Sequence, residues 1–171
     1  MHVKTGGCCD YAAFLIIGSG VLSQINRFQN RLLLVEDDPG EIALAHQACE
    51  LCDPPLQLVV MPGSEEALEW LSQISKAKQP MPRLILLDLN LPKLSGLAIL
   101  RKLRMAKHTW DLPLVVFSEI YEPSDVVLSY QVGANSFVGK PSDIGQFRDL
   151  LNELVAYWLQ PRQRELAFAA R

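Results

Sequence analysis

Five short apolar runs recur between residues 31 and 138; three of them lead straight into a charged or hydroxyl side chain, and a fourth does so after one glycine. Leu32–Val35 runs into Glu36-Asp37, Leu84–Leu87 into Asp88, Leu114–Phe117 into Ser118, and Phe137-Val138 into Gly139-Lys140; Leu56–Met61 is followed by Pro62-Gly63. Runs this short, without polar alternation, read as strands buried on both faces. Each is followed by a longer segment of helical periodicity. Strands and helices in strict alternation predict an α/β fold, a doubly wound five-stranded parallel sheet with five helices.

The punctuation supports this reading. Asp38 is placed to cap a first helix that begins at Pro39, runs to about Leu51 and is stopped by Asp53-Pro54-Pro55. Ser64 is the expected N-cap of a second helix, with Glu65 and Glu66 in its first turn and Ala67, Leu68, Trp70, Leu71 and Ile74 on its apolar face. A loop with Pro92 and Gly96 leads into a third helix of about 97–107. Residues 123–132 make a fourth, closed by Gly133. In the last, Ile144, Phe147, Leu150, Leu151, Leu154, Val155, Trp158 and Leu159 trace one stripe, ended by Pro161.

Charge narrows the partners. Residues 31–160 hold 11 basic and 17 acidic side chains, a balance of −6. That body is a poor match for nucleic acid, and no basic stripe with interleaved aromatics appears. The apolar stretch Ala12–Leu22 is too short to span a bilayer, and no cleavage pattern follows it, so a cytoplasmic protein without a membrane anchor is expected. Gly18-x-Gly20 lacks the third glycine of a dinucleotide loop, because Ser23 stands there. Cys49-x-x-Cys52 falls near a helix end rather than a helix start, and Cys8-Cys9 lacks finger spacing. All four cysteines are therefore expected to be plain reduced thiols. Residues 1–30 are expected to form a poorly ordered extension, 31–160 the folded domain and 161–171 a tail.

In a doubly wound sheet, ligands bind beyond the carboxyl ends of the strands. The sequence sends Glu36, Asp37, Asp88, Ser118 and Lys140 there from four separate strands. Taken singly, an acid after a strand is often a helix cap, a serine a turn former and a lysine a solvated side chain. Together they form a carboxylate cluster, tolerable only with a cation among its members. Oxygen ligands suit Mg²⁺, and a nearby amine and hydroxyl suit a phosphoryl group.

Over roughly 31–160 the sequence resembles the response regulator receiver domain (CheY-like). The matching residues are Leu33-Leu-Val-Glu36-Asp37-Asp38, Leu86-Leu-Asp88-Leu-Asn90-Leu-Pro92, Gly96, Val115-Val-Phe-Ser118, Gly133-Ala134 and Phe137-Val-Gly-Lys140-Pro141. Asp88 to Ser118 spans 30 positions and Asp88 to Lys140 spans 52, separations natural to that family. The stretch Asp88–Gly96 and the ending Tyr157-Trp-Leu159 look most like the small single-domain regulators paired with cyanobacterial phytochromes. The resemblance implies the flavodoxin-like strand order 2-1-3-4-5. It also implies Asp88 as the phosphoacceptor, taking a phosphoryl group from a sensor histidine kinase of phytochrome type. Asp37 and Asp88 would bind Mg²⁺, with Glu36 acting through water and the Asn90 backbone carbonyl completing the set. Lys140, placed by a cis bond before Pro141, and Ser118 would hold the phosphoryl oxygens, and Phe137 would turn inward as Ser118 moves. The output would be a change in the face formed by helix four, strand five and helix five, with a homodimer through helices four and five.

Glu119 departs from the pattern, since the family usually has a small residue there. A carboxylate beside an incoming dianion is unfavourable unless it points to solvent, which is the orientation expected. Two other readings compete. A receiver-like scaffold that is never phosphorylated would fit loss of Asp37, Asp88 or Lys140, but all three are present. A phosphatase of the haloacid dehalogenase type needs a second acid two residues after the nucleophile, and Asn90 occupies that place.

Overall fold

The computed structural model describes residues 30–119 and 121–158. Outside the described residues lie residues 1–29, and with them Cys8-Cys9, the Ala12–Leu22 stretch and Gly18-x-Gly20. The expected stop at Pro161, Leu159 and the 161–171 tail lie outside them too.

Ten elements alternate. They are β1 (Arg31–Val35), α1 (Pro39–Glu50), β2 (Gln57–Met61), α2 (Ser64–Lys76), β3 (Leu84–Leu87), α3 (Gly96–Met105), β4 (Leu114–Ser118), α4 (Pro123–Val132), β5 (Ser136–Gly139) and α5 (Ile144–Trp158). The sheet has the order β2-β1-β3-β4-β5, and every neighbouring pair is parallel. The register aligns Val35 with Leu87, Leu87 with Val116 and Val116 with Phe137, so β1 and β3 finish at one level and β4 and β5 run two residues further.

The sheet separates two apolar cores. Leu32, Leu34, Leu84, Leu86, Val115 and Phe117 face α1 and α5, where Ala45, Ala48, Phe147, Leu151 and Leu154 meet them. Leu33, Val35, Ile85, Leu87, Leu114 and Val116 face α2 and α3 and pack on Ala67, Leu71, Ile99, Leu100 and Leu103. Strands sandwiched this way need apolar side chains at every position, which is why the runs lack alternation. Each such side chain contributes about 1.5–3 kcal/mol on burial. By contrast, α4 buries only Ser129 and leaves Val127 and Leu128 at the surface.

Most punctuation holds. Asp38 Oδ1 accepts the Glu41 N–H at 2.8 Å, capping α1. Gly133 ends α4 in the left-handed region, at φ 114°. Two details differ. Gly63, not Ser64, occupies the N-cap of α2, and the buried Ser64 hydroxyl donates instead to the Leu94 carbonyl at 3.0 Å. That bond meets a carbonyl of the β3–α3 loop that a capping serine would have left without it. The third helix ends at Met105 rather than 107, because the chain turns back there and the buried Thr109 hydroxyl takes up the Leu103 carbonyl at 2.7 Å.

The same turn is fastened by Arg104. Its guanidinium donates to the carbonyls of Gly133 at 2.7 Å, Leu112 at 2.8 Å and Trp110 at 3.1 Å, and to Asn135 Oδ1 at 2.6 Å. One side chain thus ties α3 to the segments that start β4 and β5. On the outer edge of β5, the Tyr130 hydroxyl accepts the Phe137 N–H at 3.2 Å.

Candidate functional site

Asp88 leaves the end of β3 with its N–H donating to the Val35 carbonyl at 3.1 Å, so the sheet ladder itself fixes its backbone. The following loop then closes on itself. Gly96 N–H donates to the Leu89 carbonyl at 3.0 Å. A Cβ at Gly96 would run into the Asp88 carbonyl oxygen, and would lie 2.6 Å from Leu89 Cα. Only glycine permits that approach. Within the loop, the Asn90 N–H donates to Asp88 Oδ1 at 3.1 Å, turning the carboxylate toward the cavity.

Glu36 is the most deeply buried of the acids, at 1% exposure. Its Oε1 accepts the N–H groups of Asp37 at 3.2 Å and Asp38 at 3.1 Å, and its Oε2 accepts from Lys140 Nζ at 2.6 Å. Both oxygens are therefore already engaged by the chain. Burial pushes the Glu36 carboxyl above the ordinary carboxylate range, only partly offset by the bond from Lys140. Lys140 moves up as well. Burial alone would lower it, but the hydrogen bond to Glu36 and the charges of Glu36, Asp88 and Glu41 outweigh that. Lys140 Nζ lies 3.4 Å from Asp88 Oδ2 and 3.6 Å from Glu41 Oε2, so one ammonium serves three carboxylates.

Glu36, Asp37, Asp88, Asn90 and Lys140 line one cavity of about 350 Å³. One carboxylate oxygen each from Glu36, Asp37 and Asp88 lie within 4.8 Å of one another. An oxygen-only donor set converging this closely, with one lysine against three acids, fits a hard divalent cation. Ser118 is fully buried at the end of β4, and its Oγ accepts from the Asn90 side-chain amide at 3.0 Å. Phe137 does not line the cavity. It is half-buried on β5 and meets Tyr121 edge to face, ring centroids 4.8 Å apart. Glu119 is exposed at the rim, without an ion pair to Lys140.

The expected cis bond before Pro141 is not found. Among the described residues the cis peptide is Asp53-Pro54. Lys140 reaches Glu36 and Asp88 on its own four-carbon stem. Cys49 and Cys52 are buried free thiols, as expected. No helix among the described residues is long and apolar enough to cross a membrane.

Two participants escaped the sequence reading. Glu41 joins the cavity from the first turn of α1, and the Asn90 amide links the acceptor loop to Ser118. For Glu41 a signal existed. It stands in the first turn of the helix that follows β1 directly, at the end of the sheet where the other acids gather.

The response regulator Rcp1 of a Synechocystis sp. is 27% identical over 130 residues, which cover 75% of this chain and 88% of that protein. The crystal structure of the Mn²⁺-bound form of Rcp1 aligns with a TM-score of 0.66 at 26% identity, over 77% of this chain and 96% of that one. The phosphorylated cyanobacterial phytochrome response regulator RcpA aligns with a TM-score of 0.68 at 29% identity, over 77% and 94%. The model of the response regulator receiver domain matches residues 32–152, and the chain belongs to that family.

Proposed function

We propose that this protein is a single-domain response regulator that accepts a phosphoryl group on Asp88. The observation that carries the reading is the arrangement around Lys140, whose ammonium stands 3.4 Å from a buried, strand-end aspartate and is held by Glu36 at 2.6 Å. An Asp88 carboxylate oxygen forms a P–O bond while the P–N bond of a kinase phosphohistidine breaks. The bonding pair leaves on the imidazole nitrogen. Water later cleaves the acyl phosphate and returns Asp88 and inorganic phosphate. Lys140 pairs with one phosphoryl oxygen, and the Ser118 hydroxyl donates to another.

Mg²⁺ held by the carboxylates of Asp37 and Asp88 and the Asn90 carbonyl would supply positive charge beside the phosphoryl oxygens. Glu36, whose oxygens are engaged, would reach it through water. The likeness to a Mn²⁺-bound and a phosphorylated regulator supports this division of roles. The partner we favour is a sensor histidine kinase of phytochrome type in the cytoplasm. Displacement of Ser118 toward the phosphoryl group would let Phe137 turn in and alter the α4–β5–α5 face. Val127 on α4, one turn before the Tyr130 that reaches β5, and Tyr157 on α5 are exposed and suit a homodimer.

Incubation with Mg²⁺ and acetyl phosphate, followed by mass spectrometry, tests the acceptor. Asp88→Asn abolishes acid-labile phosphate incorporation without unfolding the protein. Undiminished labelling in that variant refutes the assignment, and an unlabelled wild type supports the non-phosphorylated scaffold. In ultracentrifugation, beryllofluoride promotes the dimer; a monomer at high micromolar concentration in both states rejects it.

A further inference from the structure

Three carboxylates compete for Lys140, and they are not equivalent. Glu36 is buried and pinned by two backbone N–H groups. Asp88 is tied by the Asn90 N–H. Glu41 is the outlying one. Its side chain is 25% exposed, it reaches in from the first turn of α1, and its Oε2 stands 3.6 Å from the ammonium, nearly the 3.4 Å of Asp88. Lys140 therefore rests between the proposed acceptor and a rival acid on a different element.

From this geometry we infer that Glu41 is a positioning residue that competes with the phosphoryl group for Lys140 and so limits how fully Asp88 stays phosphorylated. The inference rests on Asp88 being the acceptor. Two effects act in the same direction. Glu41 draws on the ammonium that a phosphoryl oxygen needs, and its own charge faces an incoming dianion across the same small cavity. Opposing both, an acid in the first turn of a helix favours that helix. A merely structural role would thus alter stability on substitution but leave anion affinity unchanged.

The test uses the full chain at saturating Mg²⁺, with beryllofluoride as the phosphoryl mimic and calorimetry as the readout. Removing a partly exposed charge while keeping the side chain's shape, as in Glu41→Gln, should tighten beryllofluoride binding about two- to fivefold. Because the rival is partly exposed, the gain should shrink as salt rises from about 0.05 M to about 0.5 M. Glu119→Gln removes a rim acid that makes no ion pair with Lys140 and should give a distinctly smaller gain. Equal affinity in wild type and Glu41→Gln, or an equal gain from Glu119→Gln, would overturn the role of Glu41 alone. Failure of beryllofluoride to bind wild type would instead overturn the acceptor reading beneath it.

Discussion

The two ends of the sheet each hold a cation among oxygen acceptors, and they treat it differently. At the carboxyl end Lys140 is shared among Glu36, Asp88 and Glu41. At the amino end Arg104 is shared among the carbonyls of Gly133, Leu112 and Trp110 and the amide oxygen of Asn135. Carbonyls neither ionise nor bind protons, and they are fixed in the backbone. A guanidinium that satisfies several of them is a permanent fastener. Carboxylates accept protons and metals and repel one another, so an ammonium among three of them is poised to change partners. The same fold thus places a fixed junction and an exchangeable one at opposite ends of its strands.

Removing the fixed junction should cost most. Arg104→Ala leaves several carbonyls of the 109–135 region without their donor and should lower stability by about 3 kcal/mol, measured by urea unfolding. Mg²⁺ should restore none of it. Lys140→Ala should cost less, about 2 kcal/mol, because Glu36 can take up a proton instead of remaining a stranded charge. Here Mg²⁺ should recover more stability than it gives wild type, since a cation is what the site has lost. Equal rescue of both variants would erase the distinction. Asp37→Ala should do the reverse of Lys140→Ala, raising apo stability slightly by relieving repulsion while removing most of the Mg²⁺-dependent gain in melting temperature.

At neutral pH the smallest effect is expected in the core between the sheet and α1. Burial pushes the Cys49 thiol from its ordinary 9.0 up to about 12. Below pH 9 both folded and unfolded chains hold this proton, so its contribution is fully present. Between 9 and about 12 the unfolded chain loses it first, and stability falls as pH rises. Cys49→Ala should flatten that slope in urea midpoints read across the window. Unchanged slopes would mean the thiol is not shielded.

The difference between the ends also explains what the sequence could reveal. Strand runs declare themselves because both faces are covered, so Leu32–Val35 and Leu84–Leu87 admit little else. Glu36-Asp37 and Asp88 stand out because charged side chains follow directly on those runs, and Lys140 because it follows the fifth run after one glycine. Arg104 gives no such signal. Its partners are mostly backbone carbonyls, which carry no residue-type signature, and they come from segments up to 31 positions away. Ser64 reads locally as a cap for a related reason, since the Leu94 carbonyl that takes its hydroxyl is 30 positions away. The Asn90 amide gives no signal either, because its partner Ser118 lies 28 positions away. The cis bond before Pro141 comes from the resemblance alone, and Lys140 makes its contacts with Glu36 and Asp88 without it.

The bond from the Phe137 amide to the Tyr130 hydroxyl has a bearing on colloidal behaviour. β5 is the outermost strand on its side, and the outward amides of such a strand are a template on which another chain can crystallise into a ladder. The phenol occupies one of them. In Tyr130→Phe the ring stays and that donor is exposed, so melting and labelling should barely change. What should shorten is the time a concentrated solution stays clear, followed by light scattering on standing.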